Sequence, residues 1–418
     1  MKKRILLLTA GYPPEKGGSY NFFFELLKRI PHSFTVLTSR CPGDREYDKN
    51  SDYVIKRSFS LTMFQMRDDR LVRLYPYIKP LYRLLLFAYD KFRFLRVLLY
   101  LPSILKSLFE AAFGKYDSIW CGNSCLPLGI VGPLAKRLLG KEYISFAYGE
   151  EISEIQHRGH PFALRLLRLV FAEASMIVTV SEPSKKSIIH LGIPPEKIKV
   201  VYPGVDTQIF KPLSDENKFR KRFAPNGEKI ILSVGRLIER KGFDMVIESL
   251  PELIDEFGAV KYILVGDGPD RKRLEVNVKR NGLEGSVIFL NRVSNEELPE
   301  LYNACDLFVM PNRVGKFAGD TEGFGIVFIE ASACGKPVIA GRSGGAIDAV
   351  EDNKTGFLVN PESYSELREK MMKLIRNDDA AIEMGRNGLN RCKYSFTWEK
   401  ASERLNVFLG TTERKASV

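Results

Sequence analysis

The chain reads as α/β: two doubly wound parallel sheets in tandem, facing each other across a crevice. Three observations predict this. At 418 residues it exceeds one comfortable hydrophobic core, and two domains of roughly 200 residues each are the natural division. Short apolar runs alternate with helical patterns along both halves, as expected when parallel strands are joined by crossover helices. That rhythm breaks over Val200–Lys229, a stretch rich in Pro, Gly and charge, and then begins again.

Taken in order, Arg4–Thr9 is a continuous apolar run of the kind found in strands buried on both faces. It leads into GYPPEKGGSYNFFFELLKRI, where Gly17 and Gly18 sit at a turn between strand and helix. Further strands are expected at Phe34–Thr38, Ser118–Cys121, Glu142–Ala147, Met176–Val180 and Lys199–Val201, with helices such as Pro127–Leu139 and Glu182–Leu191 between them. The second half restarts at Ile230–Val234, followed by Lys261–Gly266, Val287–Leu290, Leu307–Met310 and Pro337–Ala340. The expected division is residues 1–204, residues 205–393, and a final segment 394–418 whose helical pattern could reach back and tie the halves together.

Between Val54 and Phe113 the alternation is expected to stop. This insert mixes many Leu, Phe and Tyr residues with basic ones, among them Arg83, Lys91, Arg93 and Arg96, and holds few acids. It suits either an interfacial amphipathic helix on anionic lipid or surface helices packed on the sheet. The formal net charge of +12 asks for an anionic partner, and no nucleic-acid module surrounds the basic residues, so nucleic acid is not expected. Six scattered cysteines without a CxxC pair, and only four histidines, argue against a zinc site and for reduced thiols in a cytoplasmic protein. The basic start MKKRILLLTAGYPP is too short in its apolar run for a secretory signal, and no run is long enough to span a bilayer.

The most informative stretch is Gly315–Gly341. Two carboxylates, Glu322 and Glu330, bracket Gly323, Phe324 and Gly325. The separation of eight residues is a little over two turns of a helix, so both acids are expected to face one crevice from the start of a single helix. Unpaired N–H groups at a helix start attract anions, and glycines let a phosphate approach closely. An anion seat flanked by acids that can bind hydroxyls suits a sugar nucleotide. In SVGRLIERKG, Gly235 and Arg236 follow a strand and Lys241 sits at the next helix entry, where two cations could neutralise a pyrophosphate and the charge that grows on it as a glycosidic bond breaks.

The order of these pieces resembles the retaining glycosyltransferases of family four, which have the GT-B fold. The resemblance runs through GG at 17–18, SEPSKKSI, YPGVDTQIF, VGRLIERKGFD, LVGDGPDR, VSNEELPELYNACDLFVMP, EGFGIVFIEASACGKPVIAG and SGG…TGFLV. The tract GDTEGFGIVFIEASACGKPVIAGRSGGA looks most like the subgroup that mannosylates phosphatidylinositol-type lipids from GDP-mannose. This resemblance implies that Glu322 binds hydroxyls of the donor sugar and Glu330 the ribose, while Arg236 and Lys241 hold the diphosphate. It further implies that Gly17 and Gly18 belong to a loop covering the donor, and that backbone around Arg292 and Val293 touches the base. Where the family often carries a histidine, SFAYGEEI places Tyr148, a hydrogen-bond donor but a poor base at neutral pH. Asp348 stands where a glutamate is common.

The function expected is therefore retaining transfer of a hexose, mannose favoured, to a lipid-linked or polysaccharide-precursor acceptor at the inner face of the membrane. No D-x-D occurs in the chain, and transfer is expected to need neither a metal nor a cofactor besides the donor. The alternatives are a UDP-glucose or UDP-N-acetylglucosamine donor, a GT-B epimerase or phosphorylase, and a sugar-nucleotide sensor without catalysis.

Overall fold

The computed structural model describes residues 2–15, 18–58, 95–125, 127–157, 161–213, 217–291, 293–315 and 321–416. Gly17, Arg292 and residues 59–94 of the basic segment lie outside them. Two parallel sheets organise the rest. The first is built from β1 (Arg4–Leu8), β2 (Ser33–Ser39), β3 (Val54–Ser58), β4 (Ser118–Cys121), β5 (Tyr143–Ala147), β6 (Met176–Thr179) and β7 (Ile198–Val200), in the order β3-β2-β1-β4-β5-β6-β7. The second is built from β8 (Lys229–Val234), β9 (Val260–Val265), β10 (Val287–Leu290), β11 (Leu307–Met310), β12 (Val338–Gly341) and β13 (Gly356–Val359), in the order β10-β9-β8-β11-β12-β13. The doubly wound fold expected from the sequence is thus the one observed.

The apolar runs are continuous because these strands are covered on both faces. In β1, Ile5 and Leu7 enter one core layer, and Leu6 and Leu8 the other. In β4, Trp120 points to the first layer and Ile119 and Cys121 to the second. Strand order reverses between β1 and β4, and again between β8 and β11. Crevices open beyond the carboxyl ends of the strands at such points, and the loops that follow these four strands, together with the one after β5, contribute to the site.

Two strands depart from the sequence reading. Val54–Ser58, expected to begin the interruption, is instead the edge strand β3, pairing in parallel from Thr35 opposite Val54 to Ser39 opposite Ser58. Its two cations hid it, and both are held internally. Lys56 pairs with Glu110 at 2.6 Å, and Arg57 pairs with Asp48 at 2.8 Å while also donating to the carbonyls of Ser39 and Pro13. The short run Gly356–Val359 forms β13 against β12. The helix Leu95–Phe113 then packs Ile104, Leu108 and Ala111 onto the second core layer, leaving Leu101, Leu105, Phe109 and Phe113 exposed at four-residue spacing.

The end of the chain crosses back. Helix Asp378–Ser395 stops at Phe396, whose carbonyl accepts from Val205 N at 2.7 Å, and helix Trp398–Ala416 begins two residues later. Tyr394 therefore ends one helix instead of starting the last. Glu399 on the returning helix pairs with Arg29 of the first half at 2.7 Å.

Candidate active site

Strand β8 runs into a tight 3₁₀ turn, Glu239–Lys241, before helix Phe243–Phe257. Gly242 ends the turn at a φ of 72°, and a Cβ there would come within 2.2 Å of the Pro311 carbonyl oxygen, so only glycine fits. This close approach drives the two residues before it inward: Arg240 and Lys241 are each only 8% exposed. Cations this buried must be paired. Both find Glu322: Lys241 Nζ donates to Oε2, and Arg240 Nη1 donates to the same oxygen at 3.1 Å. Arg240 Nη2 reaches across the crevice to Glu150 Oε1 of the first half at 2.7 Å.

Glu322 lies on the loop before helix Ile326–Ala333, supported from behind by the SGG turn. Gly345 N donates to the Glu322 carbonyl at 2.7 Å, and a Cβ on Gly345 would sit 2.0 Å from the Gly323 carbonyl oxygen. Burial alone would raise the Glu322 carboxyl. Lys241 and Arg240 outweigh it and hold the group below its ordinary value, so it is ionised.

The first half supplies the opposite wall. Tyr148 follows β5, and its phenolic oxygen is buried with no hydrogen-bond partner among the described residues. Burial, with the nearby Glu151 charge, pushes this phenol well above its usual range, which keeps it a neutral donor. Glu151 accepts from Tyr148 N at 2.9 Å and from Ser124 Oγ at 2.8 Å, and burial raises its carboxyl in spite of these bonds. Between the walls is a cavity of about 550 Å³, lined by Gly18, Tyr148, Glu151, Lys241, Glu322 and the turn Gly323–Val327, among others. That is ample for a small ligand.

The structure brings Gly18, Tyr148, Lys241, Glu322, Gly323, Phe324 and Gly325 to one cavity. Four other expected residues, Gly235, Arg236, Val293 and Glu330, are not among those that line it. Gly235 lies just behind Lys241, where an added Cβ would be 3.8 Å from the lysine Cε. Arg236 is exposed on the loop after β8, and Val293 packs against the core. The two acids do not share a helix: the helix starts at Ile326, four residues after Glu322, so its period does not run through both. Glu330 turns instead toward Tyr302, whose hydroxyl donates to it at 2.8 Å. Burial pushes the Glu330 carboxyl up to about 7, the Tyr302 bond pulling the other way.

Arg240, Glu150 and Glu151 escaped the sequence reading. The only local signal was the run Glu-Arg-Lys before Gly242, in which a cation next to Lys241 had the same turn to bury it.

Comparison with known proteins agrees with this architecture. The model for "Glycosyl transferases group 1" matches residues 214–391, and that for "Glycosyltransferase Family 4" matches residues 23–209. The GDP-mannose-dependent alpha-(1-6)-phosphatidylinositol monomannoside mannosyltransferase of Mycolicibacterium smegmatis is 28% identical over 410 residues, covering 97% of this chain and 98% of that one. An uncharacterized glycosyltransferase of Methanocaldococcus jannaschii is 30% identical over 280 residues, covering 66% of this chain and 70% of its own. Among solved structures, Anabaena HepE in complex with UDP and glucose superposes with a TM-score of 0.75 at 22% identity, covering 98% of this chain and all of its own. At that identity the likeness speaks for the fold.

Proposed function

The chain belongs to the glycosyltransferases that these two family models describe, and from that premise we propose that it moves a hexose, mannose favoured, from GDP-mannose to a lipid-linked or polysaccharide-precursor acceptor. The observation that carries this reading is the buried trio of Lys241, Arg240 and Glu322 beside the Gly323–Gly325 turn at the start of a helix. Full-length similarity to mycobacterial enzymes named for GDP-mannose and a phosphatidylinositol mannoside supports the choice of sugar and acceptor class.

The chemistry follows from charge. As the bond between the anomeric carbon and the donor phosphate lengthens, negative charge grows on the diphosphate and positive charge on the sugar. Lys241, the free N–H groups at the start of helix Ile326–Ala333 and the exposed Arg236 stabilise the diphosphate. The ionised Glu322 accepts from donor-sugar hydroxyls, and Glu330 serves the ribose. Tyr148, a neutral donor, hydrogen-bonds the sugar from the opposite wall. An acceptor hydroxyl attacks the anomeric carbon on the face that the phosphate leaves, and its proton passes to the departing phosphate oxygen, which retains configuration. No metal takes part in this scheme.

No helix among the described residues is long and apolar enough to cross a membrane. The exposed row Leu101, Leu105, Phe109 and Phe113, continuing from the basic segment, supports peripheral docking on an anionic inner membrane face. Replacing Arg83, Lys91, Arg93 and Arg96 with glutamine weakens sedimentation with anionic vesicles on this reading, while unchanged sedimentation returns the segment to plain packing.

The deciding experiment offers GDP-mannose, UDP-glucose and UDP-N-acetylglucosamine to the purified protein with membranes, with and without EDTA. Thermal shift and product analysis are the readouts. GDP-mannose alone giving an EDTA-resistant, acceptor-dependent product bears the proposal out. A UDP-sugar product reassigns the donor, free epimerised sugar nucleotide points to an epimerase, and no binding or turnover of any donor ends the reading.

A further inference from the structure

One ion pair of the site joins the two halves and has no evident part in holding a donor. Arg240 is 8% exposed, and its two terminal nitrogens serve different halves: Nη1 to Glu322 Oε2 at 3.1 Å within the second, Nη2 to Glu150 Oε1 at 2.7 Å on the first. Glu150 opens the helix Glu150–His157, directly after Tyr148 and Gly149. An ion pair with an acid as exposed as Glu150 contributes little by itself. A guanidinium, however, presents its donors in a rigid fork, so the direction of one bond constrains the other. If the halves separate, the buried fork loses the Glu150 carboxylate, and with it the contact on the first half that helps to fix its direction toward Glu322.

Two neighbouring contacts show how close the halves stand. A Cβ on Gly323 would come within 3.0 Å of the Tyr148 carbonyl oxygen, and Glu182 N donates to Asp348 Oδ2 at 2.6 Å. Glu322 is therefore held by one cation that belongs wholly to its own half, Lys241, and by one whose orientation depends on the other half.

We propose that Arg240 is a positioning residue that ties the placement of the Glu322 carboxylate to closure of the two halves, with Glu150 as its counterpart across the cleft. Closure then completes the sugar-binding acid as well as excluding water. The consequence for transfer rests on the function proposed above, whereas the coupling itself does not.

The test uses the ligand-free full chain first. In Glu150→Gln, which keeps the shape of a half-exposed side chain, amide hydrogen exchange at Tyr148–Glu151 and at Glu322–Val327 accelerates by about tenfold, while helix Tyr364–Arg376 is unchanged. Unchanged exchange at Glu322–Val327 overturns the proposal, whatever the donor proves to be. With GDP-mannose, Glu150→Gln and Arg240→Gln each lower kcat by about tenfold with KM within about twofold, and the double variant is no worse than Arg240→Gln alone. Additive losses overturn it. Affinity for GDP separates the coupling from a simple phosphate contact: both single variants stay within about threefold of the parent. A larger loss in Arg240→Gln, with a gain in Glu150→Gln, makes Arg240 a phosphate ligand and overturns the proposal. Should the parent turn over no sugar nucleotide, the proposed function fails while the exchange result still decides the coupling.

Discussion

The two walls of the cleft are built alike and charged differently. Each comes from loops at the carboxyl ends of a parallel sheet, yet the lining cations Arg240 and Lys241 both belong to the second half. The first half contributes to the lining Glu150, Glu151, Tyr148, Ser124 and Asn123, and no lysine or arginine among the described residues. The difference teaches a division of labour. A wall with the buried Lys241 and a helix start favours the anionic leaving group, and one with carboxyls, a phenol and a hydroxyl suits neutral hydroxyls. Glu322 stands apart as the acid of the cationic wall, and its two partners there keep it ionised.

The largest expected effect removes the cationic wall's centre. Lys241→Ala lowers transfer from GDP-mannose by roughly 10²–10³-fold, the scale seen when one preorganised charge stabiliser is lost, measured as initial rates. Glu151→Gln, on the other wall, loses less and mainly raises the acceptor KM; equal losses would break the division. Next comes the support behind Glu322. Gly345→Val has no room, since even its Cβ would lie 2.0 Å from the Gly323 carbonyl oxygen, and overpacking of this kind costs about 1–3 kcal/mol. Denaturant unfolding shows that cost, and a variant as stable as the parent would mean that the Glu322 loop gives way freely.

A smaller change sharpens the role of Tyr148. Tyr148→Phe deletes a buried hydroxyl with no described partner, so stability stays level or rises, while transfer falls about fivefold if the phenol donates to the sugar. Unaltered transfer confines Tyr148 to packing. The smallest effect concerns Glu330. Its folded carboxyl is raised from 4.5 to about 7, so between these values the folded chain keeps a proton that the unfolded chain has released. Its stabilising contribution is complete below the unfolded value and is lost as pH rises through the folded one. Glu330→Gln lacks this slope, so its melting temperature gains on the parent from pH 5 to pH 8; a constant difference would place an ordinary carboxyl there.

Much of the fold was legible because strands buried on both faces carry near-continuous apolar runs, such as Ile5–Leu8 in β1, Ile230–Leu232 in β8 and Tyr262–Val265 in β9. β3 was not, because an edge strand needs no such run and its Lys56 and Arg57 are matched by acids on other elements, Glu110 on a later helix and Asp48 on the helix just before the strand. Lys241 and Glu322 were found through their glycines. Arg236 and Arg240 could not be ranked, since burial separates them: one is exposed and the other walled in by the turn that ends at Gly242.

By itself the sequence determined most of the strands, where the chain must bend too tightly for a side chain, and which residues could carry charge at a strand-to-helix entry. These are local matters, settled by the periodicity and chemistry of a few neighbouring residues. Only the tertiary structure decided which charges meet. Arg240 and Glu150 are 90 residues apart and Tyr302 and Glu330 are 28 apart, brought together by sheet order and by the approach of two halves. Whether a buried carboxylate is held ionised by two cations, as Glu322 is, or raised by burial, as Glu330 is, depends on that company, which no local pattern records.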